Sequence, residues 1–371
     1  MKAKNIITVI LLCAILGGLS IYAYVKPQTK YSYAERRTLD TFPELSIKTL
    51  LSGDFMSEFE NYTLDQFPFR DTFRGIKTFS EEYIFNKKDN NDIYNVDGYL
   101  SEMVYPLDYK MLDYASNKFK NIKDTYFPDS DSIYLTIVPD KNYFLAEKNG
   151  YLNVDYDKMF AYMQEKNDYM KYIDITPTLD INDYYRTDTH WKQEMLPQTA
   201  EMITETMGID ISNEYTEVQV EQPFYGVHCG HYGLQVKPDT ISYLTNDIID
   251  EFNVSIYNEF KEPVESTVYN MDKLNAEDPY DMFLSGVVGL ITIENPNATT
   301  DKELVVFRDS FGASISPLLA QGYAKTTLID LRMLNSVMLS DPDLQDSINF
   351  ENSDILFMYS TIVLNTSTSL K

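Results

Sequence analysis

The sequence predicts an α/β fold, with a mostly parallel sheet, helices on both of its faces, and an N-terminal transmembrane helix. Three observations carry this expectation. Residues 133–138, 304–307 and 355–358 are short runs made almost wholly of Ile, Leu, Val, Phe, Tyr, Thr and Met. Strands read this way when both faces of their sheet are covered, as in parallel sheets. Between such runs lie stretches with apolar residues three and four apart, the helical spacing that crossover connections use. The chain also opens with an uncharged run over residues 6–25.

That opening run is long enough for a helix of ~1.5 Å rise per residue to cross a hydrocarbon core of ~30 Å. Lys2 and Lys4 precede it, which places the N-terminus in the cytoplasm and the rest of the chain outside. A cleaved signal peptide is the alternative, but the run is long for one and no small-x-small site closes it. Leu12 stands before Cys13 where a lipoprotein site needs a small residue. Residues 26–44 are polar and read as a linker, and residues 45–371 as the extracytoplasmic domain.

From Ser46 the spacing of Leu50, Leu51, Phe55, Phe59, Tyr62 and Leu64 is helical. Pro68 breaks the pattern, and a second helix is expected over 71–85. Residues 95–100 form a tight turn with Gly98 at a position needing positive φ. Residues 172–175 and 327–331 add two further strands. Turn-rich residues 209–297 interrupt the α/β order and read as an insertion or cap over the sheet.

Of 371 residues, 44% are hydrophobic, which suffices for a real core, and the formal net charge is −26. A field of that sign repels phosphate backbones and excludes nucleic-acid binding as the main role. The 30 tyrosines suit sugar-binding surfaces, although half-buried tyrosine is the commoner use. Cys13 lies in the span and Cys229 far outside it, so no disulfide framework exists.

Sites in such sheets lie beyond the carboxyl ends of the strands. At one end, Phe307-Arg308-Asp309-Ser310-Phe311-Gly312 joins an apolar strand to an expected helix from Gly312 through Leu319. Ser310 then sits on the turn, near free N–H groups able to hold an oxyanion. A serine there also serves as a helix cap. The segment Tyr184-Tyr185-Arg186-Thr187-Asp188-Thr189-His190-Trp191 holds one of three histidines and the only tryptophan. In extended backbone, Asp188 and His190 share a face, so that the carboxylate orients the imidazole. A structural Asp–His pair beside a buried Trp is the alternative. The serine hydroxyl needs such a base to attack an ester.

His228-Cys229-Gly230-His231 lacks a fourth ligand at a spacing usual for zinc. It reads as a glycine-rich loop with Gly226 and Gly233, from which His231 reaches substrate. No metal and no cofactor is expected. Lys141, just after the strand at 133–138, is a further candidate substrate contact, as are Tyr185, Trp191 and Arg308.

Thr187-Asp188-Thr189-His190-Trp191 together with Arg308-Asp309-Ser310-Phe311-Gly312 resembles the DHHW family, which is similar to the alginate O-acetyltransferases and has an SGNH-hydrolase-like fold. The resemblance extends to Phe67-Pro68-Phe69-Arg70, Asp97-Gly98-Tyr99-Leu100 and Pro139-Asp140-Lys141. It implies Ser310 as nucleophile, His190 as general base and Asp188 as its orienting acid. It further implies acetyl transfer to, or removal from, exported polysaccharide, beside a multi-pass membrane acyltransferase; the alternative is a non-catalytic surface protein that binds glycan or scaffolds such an acyltransferase, with Ser310 and His190 structural. Two positions depart from the pattern. Thr189 replaces the first His of the namesake motif, as in the alginate proteins, and Arg308 stands where SGNH enzymes often carry Gly.

Overall fold

The computed structural model describes residues 2–371 apart from 33, 34, 36, 235, 258–262 and 334–347. The chain forms two compact units, one of residues 1–91 with 229–236 and one of residues 92–228 with 237–371.

The first unit opens with the helix Lys2–Val25, none of whose most apolar window is buried. Strands β1 (Tyr31–Ser32) and β2 (Arg37–Thr38) pair antiparallel within the stretch expected as linker. Helices Ile47–Ser52 and Asp54–Asp65 follow, divided at Gly53 with φ +87°. The break around Pro68 is present, and the next helix runs Arg70–Phe79 with a π-helical turn Ser80–Ile84.

The second unit begins with a hairpin, β3 (Ile93–Val96) and β4 (Tyr99–Glu102). Its turn holds Asp97 at φ +52° and Gly98 at φ +87°, the two left-handed residues of a type I′ turn. In chain order there follow β5 (Ile133–Val138), β6 (Lys171–Tyr172), β7 (Thr216–Phe224), β8 (Asp239–Thr245), β9 (Asn253–Ile256) and β10 (Val264–Ser266). Then come β11 (Leu290–Glu294), β12 (Glu303–Arg308), β13 (Lys325–Ile329) and β14 (Ser353–Ser360). The main sheet has eight strands in the order β10-β9-β11-β13-β12-β14-β5-β6. From β13 to β6 all neighbours are parallel, while β11, β9 and β10 continue it antiparallel. Residues 209–297 therefore supply one edge of the sheet as well as the separate β7–β8 ribbon.

Alternate residues of the central strands feed two cores. Leu304, Val306, Leu356 and Met358 pack with Ala200, Ile203, Ile315 and Leu318 from helices Pro197–Thr206 and Gly312–Leu319. Val305, Phe307, Ile355 and Phe357 pack on the other side with Leu112 and Phe119 of helix Tyr109–Tyr126. With helices on both faces, only the strand ends are open for chemistry. Strands β12, β14 and β5 are adjacent, so the segments leaving Arg308, Ser360 and Val138 share one rim.

Candidate active site

Strand β12 ends at Arg308 and the helix starts at Gly312, so Asp309-Ser310-Phe311 makes the turn. Asp309 locks it. Its carboxylate accepts from the Phe311 N–H at 3.0 Å and from the Ser360 N–H at 2.7 Å, tying the turn to the end of the neighbouring strand. Gly312 is required for contact reasons. A Cβ there would lie 2.8 Å from the Cβ and 2.9 Å from the Cδ of Arg308. Ser310 keeps part of its surface exposed, and its N–H has no hydrogen-bond partner among the described residues.

The histidine arrives on a loop closed at its base by an antiparallel bridge between Tyr184 and Trp191 and by the Tyr185 N–H to His190 carbonyl bond of 3.1 Å. His190 Nε2 lies 2.8 Å from Ser310 Oγ. Its Nδ1 lies 2.6 Å from Asp188 Oδ1. Asp188 and His190 do share a face, but through a bend, not the extended backbone expected. Asp188 Oδ1 also accepts from the His190 N–H at 3.1 Å, and its Oδ2 from the Val227 N–H at 2.9 Å. Three donors thus fix a fully buried carboxylate, which meets the need of a buried charge for hydrogen bonds.

Support extends outward in layers. Gly226 abuts the Asp188 backbone so closely that a Cβ would fall 2.4 Å from its Cα. The Gly226 N–H donates to Thr187 Oγ1 at 2.9 Å, and Thr187 donates from Oγ1 and from N to Asp239 at 2.6 and 2.7 Å. Tyr280 stacks flat on the imidazole, with ring centroids 3.9 Å apart and planes 6° from parallel. Its hydroxyl donates to Ser314 Oγ at 2.8 Å. Burial pushes the Tyr280 phenol well above its ordinary pKa, so it remains a neutral donor.

The residues expected to touch substrate fall elsewhere, and four of the five are buried. Trp191 gives its indole N–H to the Phe311 carbonyl at 3.1 Å and to Ser314 Oγ at 2.9 Å, joining the histidine loop to the helix that follows Ser310. The Lys141 ammonium donates to the carbonyls of Leu100, of Tyr185 at 3.1 Å and of Arg186 at 3.3 Å, pinning the same loop from below. Tyr185 packs edge-on against Phe224 at 5.0 Å. Arg308 donates from Nη1 to the Asp309 carbonyl at 3.2 Å, and burial holds its pKa down. These side chains are scaffolding because their polar ends are spent on, or sealed within, the protein interior. His231 is exposed on helix Val227–Tyr232 and belongs to the first unit, where its carbonyl accepts from Asn91 Nδ2 at 3.1 Å.

His228 Nε2 lies 3.2 Å from Thr189 Oγ1. No group of three or more His, Cys, Asp or Glu side chains set to hold a metal occurs among the described residues. Tyr280, Asp239 and Ser314 were not foreseen. Tyr280 and Asp239 are common residue types far along the chain from the motif they support, and Ser314, though close to Ser310, is a serine inside a helix that nothing local marks.

With this geometry in view, the comparisons with known proteins are informative about fold. No family profile matches the sequence, and no curated protein matches it. Among solved structures, a DHHW family protein from Eubacterium siraeum superposes with a TM-score of 0.62 at 19% identity, over 76% of this chain and 94% of that one. Bacillus cereus PatB1 with a sulfonyl adduct gives 0.61 at 20% identity, over 75% and 97%. The O-acetyltransferase domain of Pseudomonas putida AlgJ gives 0.46 at 13% identity, over 73% and 91%. The chain therefore has the fold of the DHHW family protein, the same family that its two motifs resemble.

Proposed function

We propose that the second unit is a serine-dependent acyl-transfer enzyme that moves O-acetyl groups onto, or off, an exported cell-surface polysaccharide. One observation carries the reading: a part-exposed Ser310 hydroxyl 2.8 Å from His190 Nε2, on an imidazole whose other nitrogen is 2.6 Å from buried Asp188. An Asp–His pair built only for structure has no need of an accessible hydroxyl at the open nitrogen.

In this reading Ser310 Oγ attacks the acetyl carbonyl carbon and passes its proton to Nε2. Asp188 stabilises the imidazolium and keeps Nδ1 protonated. The carbonyl oxygen gathers charge beside the Ser310 N–H at the start of the helix, which has no partner among the described residues. Collapse breaks the ester bond, and Nε2 returns the proton to the departing alcohol. A sugar hydroxyl then attacks the acetyl-serine, losing its proton to Nε2 and releasing Ser310. Water in place of the sugar makes the same site an esterase.

The acetyl group and the polysaccharide follow from the motif resemblance. The export side follows from the apolar helix, read as a single-pass anchor with Lys2 and Lys4 in the cytoplasm. A chain so anchored suits work beside a multi-pass acyltransferase that brings acetyl through the bilayer.

The sulfonyl adduct of PatB1 suggests the test. A sulfonyl fluoride should modify Ser310 of the full chain and block hydrolysis of a chromogenic acetyl ester, while Ser310→Ala resists modification and lacks the hydrolysis. Equal hydrolysis by Ser310→Ala would overturn the mechanism.

A further inference from the structure

We infer that the helices of the first unit form a second membrane contact, a lipid-facing platform that lies in the outer leaflet beside the span; this rests on the reading of Lys2–Val25 as a transmembrane helix. The motivating observation is an inverted amphipathic pattern. In soluble proteins a surface helix turns its apolar face inward and its charges to water. Helix Arg70–Phe79 does the reverse. Phe69, Phe73 and Ile76, spaced four and three apart, are 61%, 45% and 54% exposed. On the opposite side, the side chains of Arg70 and Arg74 are only 21% and 22% exposed, and their partner Glu35 only 10%.

The inward charges are fully engaged. Arg70 pairs with Glu35, Arg74 reaches Glu35 at 2.9 Å, and Arg37 bridges Glu35 at 2.8 Å and Asp65 at 2.5 Å. Arg74 also donates to the Gly230 carbonyl. Such a network does not need water, and it leaves Asp71 and Lys77 as the exposed charges of this helix, beside the exposed Phe69, Phe73 and Ile76. Residues 42–85 expose more large apolar side chains than all described residues beyond 91. Single exposed apolar residues are ordinary, but a continuous patch marks an interaction surface.

The transmembrane helix identifies the occupant. Its Tyr22 ring stacks on Phe69, with centroids 5.7 Å apart and planes 12° from parallel. A groove of about 360 Å³ runs between Leu16, Leu19 and Ala23 of the span and Phe42, Phe59 and Tyr62 of the platform. Leu16 lies ~13 Å along the helix axis from Val25, at ~1.5 Å per residue. That is nearly half of a ~30 Å hydrocarbon core. The aromatic cluster therefore shares its depth with acyl chains of the outer leaflet, and an acyl chain has the shape and chemistry of the groove. Phe and Leu facing lipid match the apolar faces of helices that lie in the membrane interface. Headgroup charge is not the attraction, since a chain of net charge −26 is repelled by anionic lipid.

The test uses the full chain in phosphatidylcholine vesicles holding a lipid whose acyl tail carries a carbene-generating photoprobe. Label is expected on residues 2–25 and on peptides covering 42–62 and 67–79. Label on 2–25 alone would overturn the platform and leave the span standing. Label on neither would overturn both. As a second measurement, nitroxides are placed by Phe73→Cys and Ile76→Cys in a chain carrying Cys13→Ala and Cys229→Ala. They should collide with oxygen several-fold more, relative to a nickel chelate, than a label at exposed Lys120→Cys. A ratio equal to that control would overturn the proposal in favour of a water-facing surface. Exclusion of both reagents would overturn it in favour of a second copy of the chain.

Discussion

Replacing Asp188 by Asn separates a catalytic carboxylate from a structural one, because the hydrogen bonds around it allow the outcome to be worked out in advance. The carboxylate accepts three N–H groups, from His190 Nδ1 at 2.6 Å, His190 N at 3.1 Å and Val227 N at 2.9 Å. A carboxamide offers one oxygen and one NH₂. With the oxygen toward His190, the NH₂ faces the Val227 N–H. With the amide flipped, the NH₂ faces the His190 N–H. Either way one buried donor meets another, which costs about 1–3 kcal/mol. In the first orientation the correct tautomer survives but the negative charge is lost. Hydrogen bonds to charged groups exceed neutral ones by roughly 1–1.5 kcal/mol, close to tenfold in rate. In the second, the NH₂ donates to Nδ1, which forces the proton onto Nε2 and aims a donor at Ser310 Oγ. The base is then unavailable, and a loss approaching ~10⁴ is the expected limit for a wrong tautomer. Since each orientation carries one clash, both are populated, and kcat/KM for a chromogenic acetyl ester should fall between these limits. Urea unfolding should show the accompanying loss of stability. Normal kcat with reduced stability would show Asp188 to be structural only, and a rise in KM with kcat unchanged would contradict the assigned role.

Ser310→Ala should bring ester hydrolysis to background while changing stability by no more than ~1 kcal/mol, since among the described residues its Oγ has His190 Nε2 as its one side-chain partner; a large loss of stability would show a buried structural role instead. Gly312→Ala should destabilise by about 1–3 kcal/mol and impair activity, because the new Cβ meets Arg308 at 2.8 Å; wild-type unfolding would refute the close approach. Glu194 has a carboxyl pushed up to about 7, chiefly by burial, and its Oε2 lacks a hydrogen-bond partner among the described residues. The folded state then holds a proton that the unfolded state releases above its ordinary value of 4.5, so stability falls as pH rises from there to 7, by at most about 3 kcal/mol. Glu194→Gln should therefore raise stability measured by urea unfolding at pH 8 and leave it almost unchanged at pH 4; no difference between the two would refute the assignment. Chelators should leave ester hydrolysis unchanged, and a clear loss would point back to His228, Cys229 and His231.

The central strands were legible because burial on both faces writes itself as an unbroken apolar run, as in Ile133–Val138. The turn at Ser310 was legible for a related reason: such a run ending in Asp309-Ser310 shortly before Gly312 marks the passage from strand to helix. Strands β9 and β10 were not, since Asn253–Ile256 and Val264–Ser266 are short, mixed in polarity and partly exposed at the sheet edge. The span expected at 172–175 shrank to Lys171–Tyr172, because Asp174 turns its carboxylate to the Thr176 N–H at 3.0 Å and starts a 3₁₀ turn. Tyr280 shows the limit most clearly. Its stacking on His190 comes from a contact between distant parts of the chain, and one tyrosine among 30 carries no mark of it.

The fate of the expected substrate contacts bears on how such motifs should be read. Trp191, Lys141 and Tyr185 are buried, and the first two donate to the carbonyls of Phe311, Leu100, Tyr185 and Arg186 and to Ser314 Oγ, tying together the segments around His190 and Ser310. Their chemistry is positional: a general base works only within hydrogen-bond reach of its proton, and the histidine loop has too little regular structure of its own to hold that distance. An indole N–H gripping the helix after Ser310 and an ammonium joining two carbonyls of the histidine loop to that of Leu100 in β4 supply what a strand ladder would. On the proposed mechanism, the motif encodes the placement of His190 against Ser310 and not the choice of substrate. Substitutions at Trp191 or Lys141 should then lower kcat through a displaced His190 without exchanging one acyl acceptor for another.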